Sequence, residues 1–559
     1  MTYPPLNRSA NRSPRPHGNG GAESRRGLRF GRRLALALML ALPSVAAAQA
    51  PAPRLDFSPD EMALARGVAR DAGLAAWYGR TGLAPVFTVP EAAPRRAALI
   101  AAVAGAASHG LPDVYDARGL AALDGQTGPR AEAAFARAFA RWTHDVGGGI
   151  LTPRRVEPGI RRDVPRVATE TLLARFVEAA DPAAMLETVP PQSRDYRALR
   201  SALAAAVGPT VGADVPPAPE GTWREGMNDP AIVALRARLA ALGFDAGAPG
   251  SPAFDAPLAA QMAAYQARFG LAPDGVAGPR TIARMNRSGG QAPRGLLIAL
   301  ERMRWMGTHD LDGRMVWVNL PEFVARVRDG GETVFQTKVV IGRSDPADQR
   351  TPEFSDEMEY VVVNPRWNVP RSITVKEYLP RLQKNPNAVA HLDIVDSRGR
   401  VVPRGNIDFG RYTPANFPYR MRQKPSDDNA LGEVKFIFPN SMNIYLHDTP
   451  SKGLFGESRR AFSHGCIRVA RPVDLAHELL KGSAADPAAR YSRARASGNE
   501  SFLELTPHLP VHLVYFTTTV AEDGSLRQFP DVYGRDAAVW AALQRAGAAP
   551  GLETAALTD

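Results

Sequence analysis

The spacing of apolar residues divides the chain into three stretches, the first of which is helical. Between residues 55 and 207, apolar side chains such as Leu64 and Val68 recur at helical spacing among many alanines, leucines and arginines. This periodicity predicts a helical domain over 55–207. No group of reactive side chains is visible in it, so we expect its isolated His109 and His144 to serve as caps or core residues.

The second stretch is a compact helical module at 224–286, which a proline-rich linker at 211–222 separates from the first. Asn228 and Asp229 are suited to cap its first helix, and an Asp-Gly turn precedes its third. Three short helices enclose a minimal core, which is typical of a binding module rather than an enzyme. Its first two helices have apolar faces formed by Ile232, Leu235, Leu239 and Leu242, and by Leu258, Met262, Tyr265 and Phe269.

The third stretch begins at residue 295 and is rich in β-branched and aromatic residues. It predicts a mostly antiparallel β domain over 295–495, which a strand and a helix within 496–546 complete. The whole chain is therefore predicted to be an α+β multidomain protein. Two helices are expected around Lys376–Gln383 and Pro472–Leu480. The predicted strands are Met315–Leu320, Thr333–Ile341, Met358–Asn364, Val434–Phe438, Asn443–Leu446 and Val511–Val520, with a hairpin turn at Asp329-Gly330-Gly331.

Residues 366–425 interrupt the rhythm of these strands. The segment contains Trp367, Tyr378, Phe417 and Tyr419 together with several prolines. A long irregular segment inside a compact domain is often functional, so we interpret it as an insertion or lid rather than as core strands.

Residues 1–48 have the layout of a secretory signal peptide. Arg32 and Arg33 precede an apolar run from Leu34 to Leu42, and small residues up to Ala48 follow. Nine residues are too few to cross a hydrocarbon core, which needs about twenty. The pattern predicts cleavage after Ala48 and an exported protein without a transmembrane segment. Ser24-Arg25-Arg26 fits a twin-arginine signal loosely, so both export routes stay open.

Composition and charge limit the classes of protein to which the chain can belong. The chain of 559 residues is long enough for roughly three to five domains, and a hydrophobic content of 45% excludes wholesale disorder. The net charge is +11, but residues 1–48 hold eight arginines and one glutamate, which leaves +4 for the remainder. Nucleic-acid binding is therefore not favoured.

The candidate chemistry lies at the single cysteine, Cys466. One cysteine excludes an intramolecular disulfide and any cysteine-rich metal site. Gly465 permits a tight turn whose successive amides can stabilise an oxyanion. Arg468 adds positive charge, which favours the thiolate over the thiol. The surrounding motif is Ser463-His464-Gly465-Cys466-Ile467-Arg468.

A nucleophilic cysteine needs a base that a third group orients. His447 ends an apolar run, and the side chain or carbonyl of Asp448 can fix its tautomer. A structural histidine at a strand end explains His447 equally well, and for His464 a role in shaping the turn is favoured. His447, His464 and Cys466 are also three potential zinc ligands. Because His-x-Cys is a poor chelating spacing and Arg468 repels a cation, zinc is not favoured.

These motifs resemble those of known families. The module at 224–286 resembles the small three-helix peptidoglycan-binding domain, through its Leu-x-x-x-Leu-x-x-x-Gly-Phe pattern at 235–244 and Asp-Gly-Val-x-Gly-x-x-Thr at 274–281. His447, followed after fifteen residues by Ser463-His464-Gly465-Cys466, resembles the signature of the YkuD-type L,D-transpeptidases. Trp77-Tyr78 and the Gly-Leu-Ala-Pro-Val run at 82–86 resemble the helical scaffold of long Gram-negative members.

Two departures from the family pattern are visible. Ser426-Asp427 stands where these enzymes usually have Gly-Pro, at the end of the expected lid. Arg468 replaces the asparagine of shorter members, although long members commonly carry arginine there.

The resemblance implies a periplasmic enzyme that forms 3→3 peptidoglycan cross-links. Cys466 would attack the carbonyl of a diaminopimelate, the third residue of a tetrapeptide stem, and expel the terminal D-alanine. His447 would be the acid/base, with its ring held by the backbone carbonyl of Asp448. Amides of Gly465 and Cys466 would stabilise the oxyanion. Ser463 and His464 would support the turn, and Arg468 and Trp367 would bind substrate.

The implied partners are peptidoglycan stem peptides and glycan, with a cell-wall synthase or activator as a further candidate. No metal or organic cofactor is implied. Water as acceptor would make the same site an L,D-carboxypeptidase, and a lipoprotein lysine would make it an anchoring enzyme. The alternatives of another class are a non-catalytic peptidoglycan-binding protein and a zinc-dependent wall hydrolase.

Overall fold

The computed structural model describes most of the chain beyond the expected signal peptide. The described residues are 56–112, 114–207, 215–268, 273–286, 294–521 and 523–547. The signal peptide predicted at 1–48, the first part of the linker at 211–214, Phe269 of the second apolar face and the joint at 287–293 lie outside the described residues.

The N-terminal region is helical, as its periodicity predicts. Its core is aromatic: the rings of Phe139 and Phe176 lie 5.0 Å apart, with Phe87 and Phe135 beside them. His109 is buried, and its Nδ1 lies 3.0 Å from the hydroxyl of Tyr196, which is a core role. The helices are α1 Pro59–Val68, α2 Ala72–Arg80, α3 Ala93–Ala104, α4 Ala117–Ala122, α5 Pro129–Gly148, α6 Pro153–Val156, α7 Thr169–Glu178, α8 Pro182–Glu187 and α9 Arg194–Val207.

The small module contains α10 Ala231–Ala241, α11 Ala256–Arg268 and α12 Pro279–Asn286. Asp229 accepts a hydrogen bond from the amide of Ala231 at 2.8 Å, consistent with the predicted cap. The described members of both predicted apolar faces are buried in one cluster. Buried Gln266 accepts a hydrogen bond from the Gly275 amide at 2.9 Å, which fixes the Asp-Gly turn before α12.

Helix α13, Arg294–Arg304, joins the helical region to the β domain. All its residues from Leu296 to Arg304 are buried, because α9, strand residues and the C-terminal helix pack around it in one apolar cluster. Its charged residues Glu301, Arg302 and Arg304 are buried together with the apolar ones, and the sequence pattern does not reveal this burial.

The β domain is built on a nine-stranded sheet that closes on itself, because β3 pairs with β2 as well as with β10 and β11. Its spatial order is β10-β3-β11-β9-β8-β4-β12-β1-β2. Most pairs are antiparallel, and the β1–β12, β3–β10 and β9–β11 pairs are parallel. The strands are β1 Met315–Asn319, β2 Val324–Asp329, β3 Glu332–Gly342, β4 Phe354–Val363, β5 Trp367–Asn368, β6 Leu392–Val395, β7 Arg420–Gln423, β8 Val434–Ile437, β9 Leu446–His447, β10 Ala461–Ser463, β11 Ile467–Val469, β12 Ser501–Val514, β13 Thr518–Val520 and β14 Leu526–Gln528.

Most predicted strands are present, but the strand predicted at Val511–Val520 is divided between β12 and β13, and one other prediction fails. Gly330 and Gly331 form the predicted hairpin turn, with φ of +59° and +79°. The strand predicted at Asn443–Leu446 is wrong, since the strand is confined to Leu446–His447. The side-chain oxygen of Asn440 accepts hydrogen bonds from the amides of Met442 and Ile444, both at 3.1 Å. These bonds hold the preceding residues in a turn.

The segment 366–425 is built separately from the large sheet. Its strands form a three-stranded sheet in the order β5-β7-β6, and its helical part consists of α14 Arg371–Ile373, a π-helical turn Thr374–Tyr378 and α15 Leu379–Lys384. A cluster of its own apolar side chains, including Trp367 and Phe417, forms its core.

Of three further helices, α16 Pro472–Leu480 and α17 Pro487–Ala496 pack against strands of the β domain, and α18 Arg535–Arg545 packs against α13 and α6. Helix α16 has the predicted bounds. Within the described ranges, no helix is both long enough and apolar enough to cross a membrane.

Candidate active site

The pairing of β9 with β11 brings the predicted nucleophile and base together. These strands are parallel neighbours, with Leu446 opposite Ile467 and His447 opposite Arg468. Cys466 immediately precedes β11. Because paired residues share a face of a sheet and faces alternate along a strand, His447, Arg468 and Cys466 lie on the same face.

His447 is buried at the end of β9, and its Nδ1 contacts the carbonyl oxygen of Asp448. A proton on Nδ1 satisfies this carbonyl and leaves Nε2 free to accept another proton. Burial, assisted by the charge of Arg468, lowers the pKa of His447 to about 4. The imidazole is therefore neutral at neutral pH, as a general base must be.

The Asp448 carboxylate supports the neighbouring loop instead of the imidazole. It accepts hydrogen bonds from the amides of Glu433 at 3.0 Å and Thr449 at 2.6 Å, and it pairs with Lys452. Gly432 makes this contact feasible: its φ is +59°, and a β-carbon there would lie 2.1 Å from an Asp448 carboxylate oxygen.

Ser463 closes the turn before the cysteine. Its Oγ donates to the carbonyl of Cys466 at 2.5 Å and accepts from the amide of Gly465 at 3.2 Å. Gly465 has a φ of +111°, a conformation that side chains rarely adopt. Of the two amides expected to bind an oxyanion, that of Gly465 thus already donates a hydrogen bond to Ser463 Oγ. Among the hydrogen bonds of the described residues, none is donated by the Cys466 amide.

The pKa of the Cys466 thiol is raised, whereas the sequence suggested a lowered value. Its Sγ lies 3.5 Å from the carbonyl oxygen of Asn443, and burial raises the pKa of the thiol to about 11. Hydrogen bonding by Tyr445 and the charge of Arg468 act in the opposite direction but are smaller. Arg468 thus lowers the pKa of the thiol, as expected, but desolvation outweighs its charge and the resting sulfur stays a thiol.

His464 does not support the turn as expected. Its Nε2 lies 2.7 Å from Oε1 of Glu377, which belongs to the π-helical turn of segment 366–425. The adjacent Lys376 pairs with Asp348 at 3.1 Å. Two neighbouring residues of the segment thus contact loops on the catalytic side. Of the two residues expected to support the turn, Ser463 makes hydrogen bonds within it and the ring of His464 contacts Glu377 instead.

Cys466, His447, Arg468 and Trp367 all line one cavity of about 1800 Å³. Trp367 is largely buried and lies edge-on to Tyr378, with ring centroids 6.4 Å apart. Arg468 is partly buried, and desolvation lowers its pKa. No carboxylate of the described residues pairs with Arg468, and its Nε has no hydrogen-bond partner there.

The three candidate zinc ligands do not converge. The ring of His447 is directed to the Asp448 carbonyl and that of His464 to Glu377. Over the described ranges, no three His, Cys, Asp or Glu side chains come together as a group able to hold a metal ion.

Sequence reasoning missed Thr351, which contacts the cysteine turn directly. Thr351 is fully buried, and its Oγ1 donates to the Gly465 carbonyl at 2.8 Å while accepting from the Gly342 amide at 2.9 Å. The Tyr533 hydroxyl accepts from the Thr351 amide at 3.2 Å and donates to the Gly342 carbonyl at 2.6 Å. An isolated threonine carries no sequence signal for such a role.

A buried polar network continues from Thr351 to the helical region. Arg535 donates to the Thr351 carbonyl at 3.0 Å and to Glu353 at 3.2 Å, and Arg302 pairs with the same carboxylate at 2.7 Å. The backbone of Glu353 is hydrogen-bonded to that of residues 159 and 161, at 2.9 and 2.8 Å. The cysteine turn is therefore connected through buried groups to the N-terminal region.

Comparison with known protein families matches three parts of the chain. Residues 313–487 match the family described as "L,D-transpeptidase catalytic domain" (YkuD). Residues 72–203 match the "Scaffold domain", and residues 228–285 match the "Putative peptidoglycan binding domain".

A relative from Haemophilus influenzae, named "Putative L,D-transpeptidase", is 36% identical over 223 residues. The match covers 40% of this chain and spans less than half, 44%, of that relative. A solved structure of residues 123–326 of an L,D-transpeptidase from Xylanimonas cellulosilytica is 16% identical and covers 54% of this chain and 100% of that one. Its TM-score is 0.15, which is too low to support an argument about the fold.

The predicted α+β multidomain class and the family resemblance are both confirmed. The chain combines, in one polypeptide, a scaffold domain, a peptidoglycan-binding domain and a catalytic domain of the YkuD L,D-transpeptidase family.

Proposed function

We propose that this protein forms 3→3 cross-links in peptidoglycan through a thioester on Cys466. The observation that carries the proposal is the shared sheet face on which His447, Arg468 and Cys466 border one large cavity. The face supplies a nucleophile, a neutral base and an unpaired cation, which are the groups that acyl transfer from a carboxylate-bearing peptide requires.

The resting thiol and imidazole are both neutral at neutral pH, so proton transfer accompanies attack. As the sulfur of Cys466 bonds to the carbonyl carbon of the third stem residue, its proton passes to Nε2 of His447. The Cys466 amide stabilises the resulting oxyanion. When the intermediate collapses, His447 returns the proton to the departing amine of D-alanine, which leaves a thioester.

The second half of the reaction releases the thioester. A side-chain amine of another stem attacks the thioester carbon and gives a proton to His447, and the thiol of Cys466 leaves with that proton. The product is an amide between the two stems. Water in place of the amine would yield a shortened stem, which is the carboxypeptidase reaction.

The segment 366–425 would act as the lid that favours the amine over water. Glu377 and Lys376 connect it to His464 and Asp348 on the catalytic side. A covered cavity holds fewer water molecules near the thioester, so a bound amine competes better.

The site of action follows from the domains that accompany the catalytic unit. The match at 228–285 supports peptidoglycan as the substrate, and the signal peptide predicted at 1–48 supports action in the periplasm. A wall synthase or activator is a further proposed partner. No metal or organic cofactor enters the mechanism.

The experiment that tests this function uses residues 49–559 and a diaminopimelate tetrapeptide muropeptide. A dimer that lacks one D-alanine, identified by mass, is the expected product. Tripeptide alone would indicate a carboxypeptidase. The absence of both products would favour a non-catalytic peptidoglycan-binding protein, and a loss of activity with a chelator would favour the zinc hydrolase.

We expect Arg468 to bind the terminal carboxylate of the donor stem. Arg468→Gln should raise the KM for the tetrapeptide donor about tenfold or more, because a charge-assisted hydrogen bond to a carboxylate is worth ~1.5–3 kcal/mol. Arg468→Lys should recover part of the loss, since lysine keeps the charge without the planar fork. A donor with an amidated C-terminus is the control. This amidated donor should bind poorly to the wild type and equally poorly to Arg468→Gln. If Arg468→Gln weakened its binding further, Arg468 would contact a part of the donor other than the terminal carboxylate.

Thr351 should position the cysteine turn without contacting substrate. Thr351→Val keeps the shape but leaves the Gly465 carbonyl without its donor, so we expect kcat to fall about tenfold while KM changes little. Thr351→Ser retains the hydroxyl and should restore kcat. Steady-state kinetics of the three proteins, matched for thermal stability, measure this. Equal kcat values for the valine and serine variants would refute the positioning role.

A further inference from the structure

A row of side chains crosses the large sheet from the catalytic pair to its far side. Cross-strand partners define it: His447 is opposite Lys435, Lys435 is opposite Val362, and Val362 is opposite Phe502. Because cross-strand partners share a face, these four residues lie on the face that carries Cys466. The row therefore extends the catalytic face over β8, β4 and β12.

The far end of this row is an exposed aromatic patch in the wall of the catalytic cavity. Phe502 is 47% exposed, and its ring packs edge-to-face on that of Tyr360, with centroids 6.0 Å apart. Both residues line the cavity that contains Cys466. An exposed aromatic side chain indicates a binding surface when it lies in a concave site, as Phe502 does.

Polar groups surround the exposed ring. The ammonium of Lys435 lies 6.0 Å from the Phe502 ring centre and 3.1 Å from the carboxylate of Glu500. Glu504, the partner of Tyr360 across the strands, lies on the same face. An aromatic platform bordered by charged hydrogen-bonding groups suits a ligand that has one apolar face and a polar rim, which is the character of a pyranose ring.

The distance from the cysteine selects which part of the substrate reaches this patch. Measured along the curved sheet at about 4.8 Å per strand, Phe502 lies about 14 Å from the strand of His447 and about 19 Å from that of Cys466. Three extended stem residues span about 10 Å. The ether group that joins the stem to its sugar, and the sugar ring itself, cover the rest. A shorter ligand bound at Cys466 does not reach the patch.

We propose that Phe502 and Tyr360 form a subsite for the N-acetylated sugar that carries the donor stem. This inference rests on the proposed function for the position of the stem. The sugar ring lies on the Phe502 face, with its polar rim toward Lys435 and Glu500. The subsite distinguishes stems attached to glycan from free peptides, and it holds the stem in an extended path along the row toward Cys466.

The test measures binding in a Cys466→Ala background, which does not depend on turnover. Two ligands are titrated by calorimetry: a disaccharide tetrapeptide and the same tetrapeptide without sugar. Phe502→Ala should weaken binding of the disaccharide tetrapeptide about five- to tenfold and leave the free tetrapeptide unchanged. Phe502→Trp should retain the affinity. Phe57→Ala removes another exposed phenylalanine, in the helical region, and should change neither affinity.

Equal losses for both ligands, or no loss for either, would overturn the subsite. Turnover of the disaccharide tetrapeptide by the protein with Cys466 intact is measured separately. Failure of that reaction alone would overturn the proposed function and leave the sugar-dependent difference in affinity as evidence for the subsite.

Discussion

We expect Cys466→Ala to abolish cross-linked dimer formation and Cys466→Ser to retain less than about one part in a thousand of the wild-type rate. Alanine removes the atom that forms the thioester. Serine offers a hydroxyl that is far less acidic than the thiol, so the same base activates it much less well. The size of the effect follows because no other cysteine exists in the chain to replace the nucleophile. Mass analysis of muropeptide products measures it.

A carbapenem provides a direct assay of the same step. Acylation of the wild type should add one inhibitor mass per chain, and Cys466→Ala should show none. Retained binding of tetrapeptide by Cys466→Ala shows that the cavity is intact. An adduct of full yield on Cys466→Ala would place the nucleophile at another residue and contradict the proposed mechanism.

His447→Gln should lower kcat/KM about 100-fold to 10,000-fold, the range associated with general acid–base catalysis. Glutamine is similar in length but accepts no proton, so the thiol must lose its proton to water. The loss should shrink at high pH, because hydroxide then supplies the thiolate that His447 no longer generates. Rates of acylation at several pH values measure this.

The pH dependence of activity and of thiolate absorbance in the wild type shows whether Cys466 and His447 rest as a neutral thiol and imidazole or as a thiolate–imidazolium ion pair. The lowered pKa of His447, about 4, keeps the base unprotonated above that pH, so activity should fall on the acid side only as pH approaches 4. The raised pKa of Cys466, about 11, keeps the thiol protonated at neutral pH. Thiolate absorbance of the resting protein should therefore appear near pH 11. Full thiolate absorbance at pH 7 would show an ion pair instead.

The parts of the site that sequence reasoning predicted are those with local signatures. Short motifs predicted roles for Gly465, Cys466 and His447. Although His447 is separated from the other two along the chain, the pairing of β9 with β11 places it on a neighbouring strand. Periodicity predicted the helical region and most strands because each buries one face. The sequence did not reveal that helix α13 buries even its charged residues, Glu301, Arg302 and Arg304.

The parts that were missed depend on tertiary contacts. Thr351 lies more than one hundred residues from Gly465 in sequence, so its hydrogen bond has no local pattern. The partner of His464 is on the segment 366–425, which the motif does not include. The raised pKa of Cys466 reflects the surroundings of the folded site, whereas the sequence showed only the opposing charge of Arg468.

The position of β12 in the sheet has a consequence for biosynthesis. This strand, at 501–514, lies between β4 and β1, although β1 is made almost two hundred residues earlier. One edge of β1 and one edge of β4 therefore stay unpaired until β12 emerges. Such non-local pairing is slow and favours folding after the whole domain is released. The cavity around Cys466, whose wall includes Phe502 of β12, is consequently complete only after this strand has joined the sheet.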